Sequence, residues 1–452
     1  MSRMIRRQFL QQLTGIGAGL YVAGSRPLWA LESSPAERLR IACIGVGGKG
    51  ASDTDQAGLF GDIVGLCDID DNRLNERASK HPKARKFFDF RTMLDQMQNE
   101  IDAVVVSTPD HTHAPAAMMA MRLGKHVYCQ KPLTWSVVEA RALRLAAHKY
   151  GVATQMGNQG TALDGFRTSI EVIRSGAIGP VREVHVWTDR CGRYWKQAPD
   201  IIARPADKPD VPKTVHWDEF LGPAPERPYH PSYHPFAWRG WRDFGTGALG
   251  DMACHTANMA FMALGLGYPT SITSENSEVN PETFQQWATI TFQFPARGEM
   301  PPVKLVWYEG IKDGKRNLPS PELMFGEQPS NSGLLLKGDK GVLFSPSDYG
   351  QSFTLFPKKD FEGFKNPEPT IPRLGGNNDE SQKKEWIAAC KGGPAAMSNF
   401  DYAGLLTEAM LLGNVCIRAG KPIEWDGEKL KIKNAPEAEQ YLHREYRPGW
   451  TL

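Results

Sequence analysis

Asp251 and His255 stand four residues apart in the stretch Ala248-Leu249-Gly250-Asp251-Met252-Ala253-Cys254-His255. On a helix that spacing puts a carboxylate and an imidazole on one face, one turn apart, where both can reach one substrate carbon. An imidazole with an unperturbed pKa of about 6.5 is suited to taking a proton from a hydroxyl near neutral pH. Pairs at this spacing also occur as solvated helix pairs. Here the neighbours Met252, Ala253, Met259, Phe261 and Met262 are apolar, so solvated charges would be misplaced, and the entry Gly245-Thr246-Gly247 is glycine-rich. Arg190, Tyr194, Trp195, Trp238 and Trp241 can stack on or hydrogen-bond a sugar ring, with ordinary loop packing as the alternative. Gln159, just past the last strand of the first domain, is a further candidate substrate contact.

The second source of chemistry is the stretch 41–50, I-A-C-I-G-V-G-G-K-G. A short apolar strand ends in Gly45, Gly47, Gly48 and Gly50, a G-x-G-x-x-G loop that opens a helix. Gly45 permits the tight turn, Gly47 lets backbone N–H groups approach a pyrophosphate, and Gly50 lets the helix pack on the strand, with Gly48 in the same cradle. The helix N-terminus faces the phosphates with its positive end. Asp68 follows about eighteen residues later, near the spacing at which a carboxylate meets ribose hydroxyls. A carboxylate there repels a 2′-phosphate, so the cofactor expected is NAD, with NADP as the alternative. Asp68 could instead cap the helix beginning near Asn72, and Asp70 and Asp71 compete for either role.

These residues need a scaffold, and the patterning supplies one. Apolar runs at 62–68, 101–107, 126–129 and 151–155 alternate with helical stretches at 51–58, 114–123 and 136–150. That alternation predicts an α/β Rossmann-type doubly wound parallel sheet over 38–160. Beyond 160 the pattern changes. Val181–Thr188 alternates with one exposed face, and further strands are expected at 287–294, 303–308, 334–337 and 341–345, with helices at 165–176, 380–391 and 401–419. The expectation for 161–452 is an α+β C-terminal domain with a mainly antiparallel open sheet. The segment 198–235, rich in proline and aromatics, reads as long ordered loops over a site, and the tail 441–450 as a contact with another subunit.

Gly45–Gly50, Asp68, Thr108-Pro109 with His113, Lys131-Pro132 and the G-T-G-A-L-G-D-x-x-x-H stretch together resemble the Gfo/Idh/MocA oxidoreductases, which act mostly on sugars, inositols and related polyols. The resemblance covers nearly the whole chain after residue 30. It implies that Thr108, Pro109 and His113 line the nicotinamide side and that Lys131 reaches the reacting carbon. It also implies roles for His255 as general base, for Lys131 in stabilising charge on the same oxygen, and for Asp251 in orientation. The family's Glu-Lys-Pro stands here as Gln130-Lys131-Pro132. If Gln130 points toward Lys131, the ammonium lacks a carboxylate neighbour and its pKa falls. The function expected is oxidation or reduction of a secondary alcohol or ketone of a sugar, cyclitol or polyol. Two alternatives are a glycosidase or sugar–sugar oxidoreductase that retains its nucleotide and works by transient oxidation, and a non-catalytic sugar-binding protein.

The chain has 452 residues, 41% hydrophobic and 23% charged, which suits two domains, and its net charge of +2 has no basic stripe that would call for nucleic acid. Seven scattered cysteines, mostly in apolar runs, read as core residues, and no metal-ligand spacing occurs. Residues 1–30, with Arg6-Arg7-Gln8-Phe9-Leu10, read as a twin-arginine signal peptide, a basic amphipathic helix being the alternative. The expected partner is then the twin-arginine export machinery, the destination the periplasm, and the nucleotide tightly bound, because this route carries folded proteins. An open sheet with one bare face implies a homo-oligomer through the C-terminal sheet.

Overall fold

The computed structural model describes residues 38–452; the twin-arginine segment lies outside the described residues. β1 (Leu39–Ile44), β2 (Gly61–Cys67), β3 (Arg85–Phe87), β4 (Ala103–Val106), β5 (His126–Cys129) and β6 (Thr154–Met156) pair in parallel, in the order β3-β2-β1-β4-β5-β6. Between them run α1 (Lys49–Phe60), α2 (Asp71–Lys80), α3 (Phe90–Gln96), α4 (Asp110–Arg122) and α5 (Val137–Tyr150). Covered on both faces, the central strands can be apolar throughout: Val104, Val105 and Val106 are at most 1% exposed, each worth about 1.5–3 kcal/mol of burial. The strand order reverses between β1 and β4, and the carboxyl ends of these two strands open the crevice where such folds take ligands.

The second half contains α6 (Asp164–Arg174), β7 (Val181–Thr188), α7 (Trp217–Leu221), α8 (Gly247–Thr256), α9 (Asn258–Ala263), β8 (Ser271–Asn276), β9 (Trp287–Phe294), β10 (Val303–Lys312), β11 (Lys315–Arg316), β12 (Gly333–Gly338), β13 (Val342–Ser345), β14 (Thr354–Phe356), α10 (Asn378–Cys390), α11 (Phe400–Ala419), β15 (Ile423–Asp426) and β16 (Lys431–Ile432). Its sheet runs β14-β13-β12-β7-β10-β9-β8-β15-β16, with β11 on β10, and is antiparallel except at β7/β10. The alternation in β9 decides its two faces: Ala288, Ile290, Phe292 and Phe294 are buried in the core shared with α8, α9 and α11, while Thr289, Thr291 and Gln293 face away.

Two features depart from a simple division at residue 160. Helix α10 returns to the first domain, where Trp386 and Ile387 join Ile41, Cys43, Ala57 and Tyr128 in one cluster. Without it, that face of the parallel sheet would lack part of its cover. The tail 441–450 docks on its own chain. The Leu442 carbonyl accepts the Val138 N–H at 3.1 Å, and the Tyr446 hydroxyl donates to Glu139. Arg444 lies over the Trp135 ring at 3.6 Å and donates to the Asp243 carbonyl at 2.7 Å.

Candidate active site

At the switch point a cavity of about 310 Å³ is lined by Gly45, Gly47, Gly48, Asp68, Thr108, Pro109, Lys131, Trp238 and Asp251, among others. The glycine turn is sterically obligatory. Gly45 has φ of +77°, and a Cβ on Gly50 would sit 1.7 Å from the Gly45 carbonyl oxygen. α1 begins at Lys49, so its positive dipole end points at the turn, while the Gly50 and Ala51 N–H groups close that turn by donating to the Gly47 and Gly48 carbonyls at 3.0 and 3.2 Å. Two donors expected to face a pyrophosphate are otherwise engaged: the Val46 and Gly47 N–H groups donate to Asp68 Oδ2 at 2.8 and 3.0 Å. Asp68 therefore braces the glycine loop from the end of β2. It is not the cap of α2; Asp70 takes that place by accepting the Asn72 N–H. This cradle, with the cavity beyond it, fits a dinucleotide.

Across the cavity Lys131, just after β5, meets Asp251 on α8. Lys131 Nζ donates to Asp251 Oδ1 at 2.7 Å and to the Asp251 carbonyl at 2.9 Å. Burial opposes the Lys131 charge, but the adjoining Asp251 carboxylate prevails and raises its pKa above the ordinary 10.5. Burial opposes the Asp251 charge as well, yet Lys131 and Arg239 hold its pKa below 3.8. His255, one turn further along α8, is 5% exposed and packs edge-on against Tyr349 at 4.8 Å. Burial, reinforced by the Lys131 charge, pushes its pKa well below 6.5, so the ring is neutral. His255 Nδ1, Gln159 Oε1 and Thr108 Oγ1 are buried without a partner among the described residues. Of these only Thr108 lines the cavity, while His255 and Gln159 meet on Tyr349.

The other expected residues divide. Trp238 lines the cavity, with the Arg239 guanidinium stacked 4.2 Å from its ring centre. Arg190 pairs with Asp348 at 2.8 Å and stacks on the half-exposed Tyr194, while Gln159 Nε2 meets the Tyr349 hydroxyl at 3.4 Å. Trp241 is fully buried in an aromatic cluster, its indole N–H donated to the Ser232 carbonyl, so it packs the wall rather than meeting a substrate. His113 is also withdrawn: its two ring nitrogens lie 2.8 Å from the Thr108 and Pro132 carbonyls, tying together the two loops that carry Thr108 and Lys131. Sequence reasoning missed Arg239, whose Nε lies 3.7 Å from Asp251, although it directly follows the candidate Trp238 in the chain. It also missed Asp110 on the cavity wall, where burial raises the carboxyl to about 7 even though the Thr246 hydroxyl donates to it.

Gln130 does not point toward the Lys131 ammonium, so the expected fall in the lysine pKa has no basis. Its amide donates to Asp53 Oδ2 at 2.8 Å, and its carbonyl accepts the Lys131 backbone N–H at 3.2 Å. Asp53 is fully buried and already serves Ser107 and Lys383. A glutamate at 130 would set a second carboxylate against it, which explains why an amide stands there. Gln130→Glu should destabilise the fold by about 1–3 kcal/mol. The new carboxyl would have a raised folded-state pKa, so its penalty is absent below the unfolded value and grows as pH rises. Thermal unfolding should therefore show a larger deficit at pH 8 than at pH 5; an equal deficit at both would exclude the Asp53 contact as the cause.

The family model described as an oxidoreductase family with an NAD-binding Rossmann fold matches residues 39–158, and the model of the same family's C-terminal alpha/beta domain matches 166–300. Glycosyl hydrolase family 109 protein 2 of Akkermansia muciniphila is 29% identical over 220 residues, covering 38% of this chain and 45% of that protein. Levoglucosan dehydrogenase of Pseudarthrobacter phenanthrenivorans is 26% identical over 178 residues, covering 39% of this chain and 36% of that protein. The match thus spans less than half the length of each relative. The crystal structure of the aldose-aldose oxidoreductase from Caulobacter crescentus complexed with glycerol superposes with a TM-score of 0.56 at 17% identity, over 86% of this chain and all of that one, a likeness of fold.

Proposed function

The chain belongs to the Gfo/Idh/MocA oxidoreductase family, and from that premise we propose that it is an NAD-dependent oxidoreductase acting on a secondary alcohol or ketone of a sugar, cyclitol or related polyol. The observation that carries the reading is the Lys131–Asp251 ion pair, facing a glycine cradle across one cavity with neutral His255 a turn away. When bound there, the nicotinamide accepts or donates the hydride. The turn formed by Gly45, Gly47, Gly48 and Gly50 lets the pyrophosphate approach the backbone, Asp68 braces that turn and lies on the ribose side, and Thr108 and Pro109 flank the nicotinamide. Lys131, kept charged by Asp251, donates a hydrogen bond to the substrate oxygen and stabilises the charge developing on it. His255 accepts the hydroxyl proton in the oxidative direction. Gln159, Arg190, Tyr194 and Trp238 contact the rest of the substrate.

The test is mass spectrometry of bound nucleotide, followed by a panel of sugars and polyols read at the NADH absorbance. A protein that binds no nicotinamide nucleotide, or whose His255→Ala variant turns over every substrate unchanged, refutes the reading. The paired charges also predict the pH profile. Because the His255 pKa lies well below 6.5 and the Lys131 pKa above 10.5, neither group should place a limb in kcat/KM between those two values. Asp110, raised to about 7 on the cavity wall, is the group placed to titrate there, and a break near pH 7 that survives Asp110→Asn would mean another group carries the proton.

A second reading keeps the same site and retains the nucleotide, so that transient oxidation cleaves a glycosidic bond or passes hydride between two sugars. The similarity to glycosyl hydrolase family 109 favours it, and release of a glycone without net NADH distinguishes it. A purely sugar-binding role is disfavoured by the assembled Lys131–Asp251 pair. Residues 1–30 support export by the twin-arginine machinery to the periplasm, tested by the fate of an Arg6→Lys, Arg7→Lys variant. The outward row Thr273, Thr289, Thr291 and Gln293, none of them buried, supports assembly of a homo-oligomer through the C-terminal sheet.

A further inference from the structure

The end of the cleft beyond Asp68 is closed by two segments from outside the parallel-sheet domain. The first runs from 214 to 236. It is fastened to the loop after β2 by two backbone bonds: the Asp71 N–H donates to the Thr214 carbonyl and the His216 N–H to the Ile69 carbonyl, both at 2.8 Å. The His216 ring stacks flat on Phe88, centroids 4.0 Å apart. The second segment is the tail. Trp450 lines the cavity beside Phe88 and Phe90 and is 7% exposed, with the Arg91 guanidinium 4.0 Å from its ring centre. The two segments are joined by Arg447, which donates to the Gly222 carbonyl and to both the carboxylate and the carbonyl of Asp218. They thus form a belt across one end of the cleft, closed by a single arginine.

In a doubly wound sheet the pyrophosphate lies at the glycine turn and the adenosine extends past the acid at the end of β2. The aromatic wall stands on that side, opposite Lys131 and Asp251. A flat apolar base gains by packing on aromatic faces, and an enclosed apolar pocket suits it. We propose that Phe88, Phe90 and Trp450 form the adenine seat of the dinucleotide site, and that the Arg447–Asp218 latch sets how fast the nucleotide leaves. The inference rests on the reading of the cleft as an NAD site. It accounts for an otherwise unexplained arrangement: a tail more than three hundred residues from β3 in sequence folds back to complete the wall next to it.

The experiment is the dissociation of prebound NADH, followed by its fluorescence during a chase with excess NAD. Trp450→Ala and Arg447→Ala should each speed dissociation by about tenfold or more, and Trp450→Phe should restore the rate to within about threefold of the wild type. Asp218→Asn removes the charged arm of the latch and leaves its two carbonyl bonds, at a residue 66% accessible in its side chain, so its effect cannot be ascribed to a lost core; it too should release NADH faster, though less so than Arg447→Ala. Rates within about twofold of the wild type in all three disruptive variants would overturn the belt. Native mass spectrometry separates the two levels: wild-type protein that takes up no nucleotide overturns the NAD reading itself, whereas normal uptake with unchanged release rates overturns the adenine seat alone.

Discussion

Lys131→Met should lower kcat by about 10²–10³-fold, the cost of removing one preorganised donor from a developing oxyanion. The geometry makes the replacement specific. Lys131 Nζ is held at 2.7 and 2.9 Å by the side chain and the carbonyl of one residue, Asp251, so the ammonium is fixed before substrate arrives. Loss should fall on kcat more than on KM, because the interaction strengthens only as charge builds on the substrate oxygen. Arg239, 3.7 Å from the same carboxylate, remains to balance Asp251, which limits collateral damage to the fold. Asp251→Asn gives the complementary result. It removes the group that holds the Lys131 pKa up, so the buried ammonium titrates lower and an alkaline limb should enter the kcat/KM profile below 10.5. A Lys131→Met enzyme within tenfold of the wild type, or an Asp251→Asn profile without that limb, would mean that the pair is structural.

Much of this site was legible in sequence because its parts are short and local. The glycine turn, the T-P dipeptide and the helical four-residue spacing each announce one backbone geometry, and Asp251 and His255 do lie on one helix. The doubly wound sheet was legible for the same reason, since its apolar strands need cover on both faces. What escaped was set by partners distant in the chain. Gln130 reads as a gap beside a lysine until Asp53, seventy-seven residues earlier, is seen to occupy it. Trp241 looks as available as Trp238, and only packing against Tyr233 and Phe244 shows that its ring is spent. His113 carries a family motif, but its buried ring is held between two backbone carbonyls, to one of which its single N–H donates. Trp450 gives no periodic signal; its place in the cavity wall follows from how the tail folds back.

Lys383→Met should cost about 3–5 kcal/mol of stability, the usual penalty for leaving one member of a buried ion pair uncompensated. Lys383 and Asp53 are both fully buried, 2.7 Å apart, and Lys383 comes from α10 while Asp53 lies on α1. The pair therefore rivets the returning helix to the first domain. Despite burial, Lys383 and then Lys49 hold the Asp53 pKa below 3.8. A depressed carboxyl contributes stability above its unfolded pKa and loses it as pH falls through the folded value. In the variant only Lys49, at 3.4 Å, remains, so the Asp53 pKa rises and protonation relieves the bare charge. The deficit in melting temperature should thus be greatest at pH 8 and shrink toward pH 4. The double variant Asp53→Asn, Lys383→Met should recover a large part of the loss, since no buried charge is left unpaired. The site should register the change as well. Asp53 Oδ2 accepts from Ser107 and Gln130, the residues preceding Thr108 and Lys131, so loosening it should raise the nucleotide Kd before the protein unfolds. A pH-independent deficit, or a double variant as unstable as Lys383→Met alone, would assign the loss to contacts other than the Asp53 pair, among them the ammonium over the Tyr128 ring, 3.6 Å from its centre.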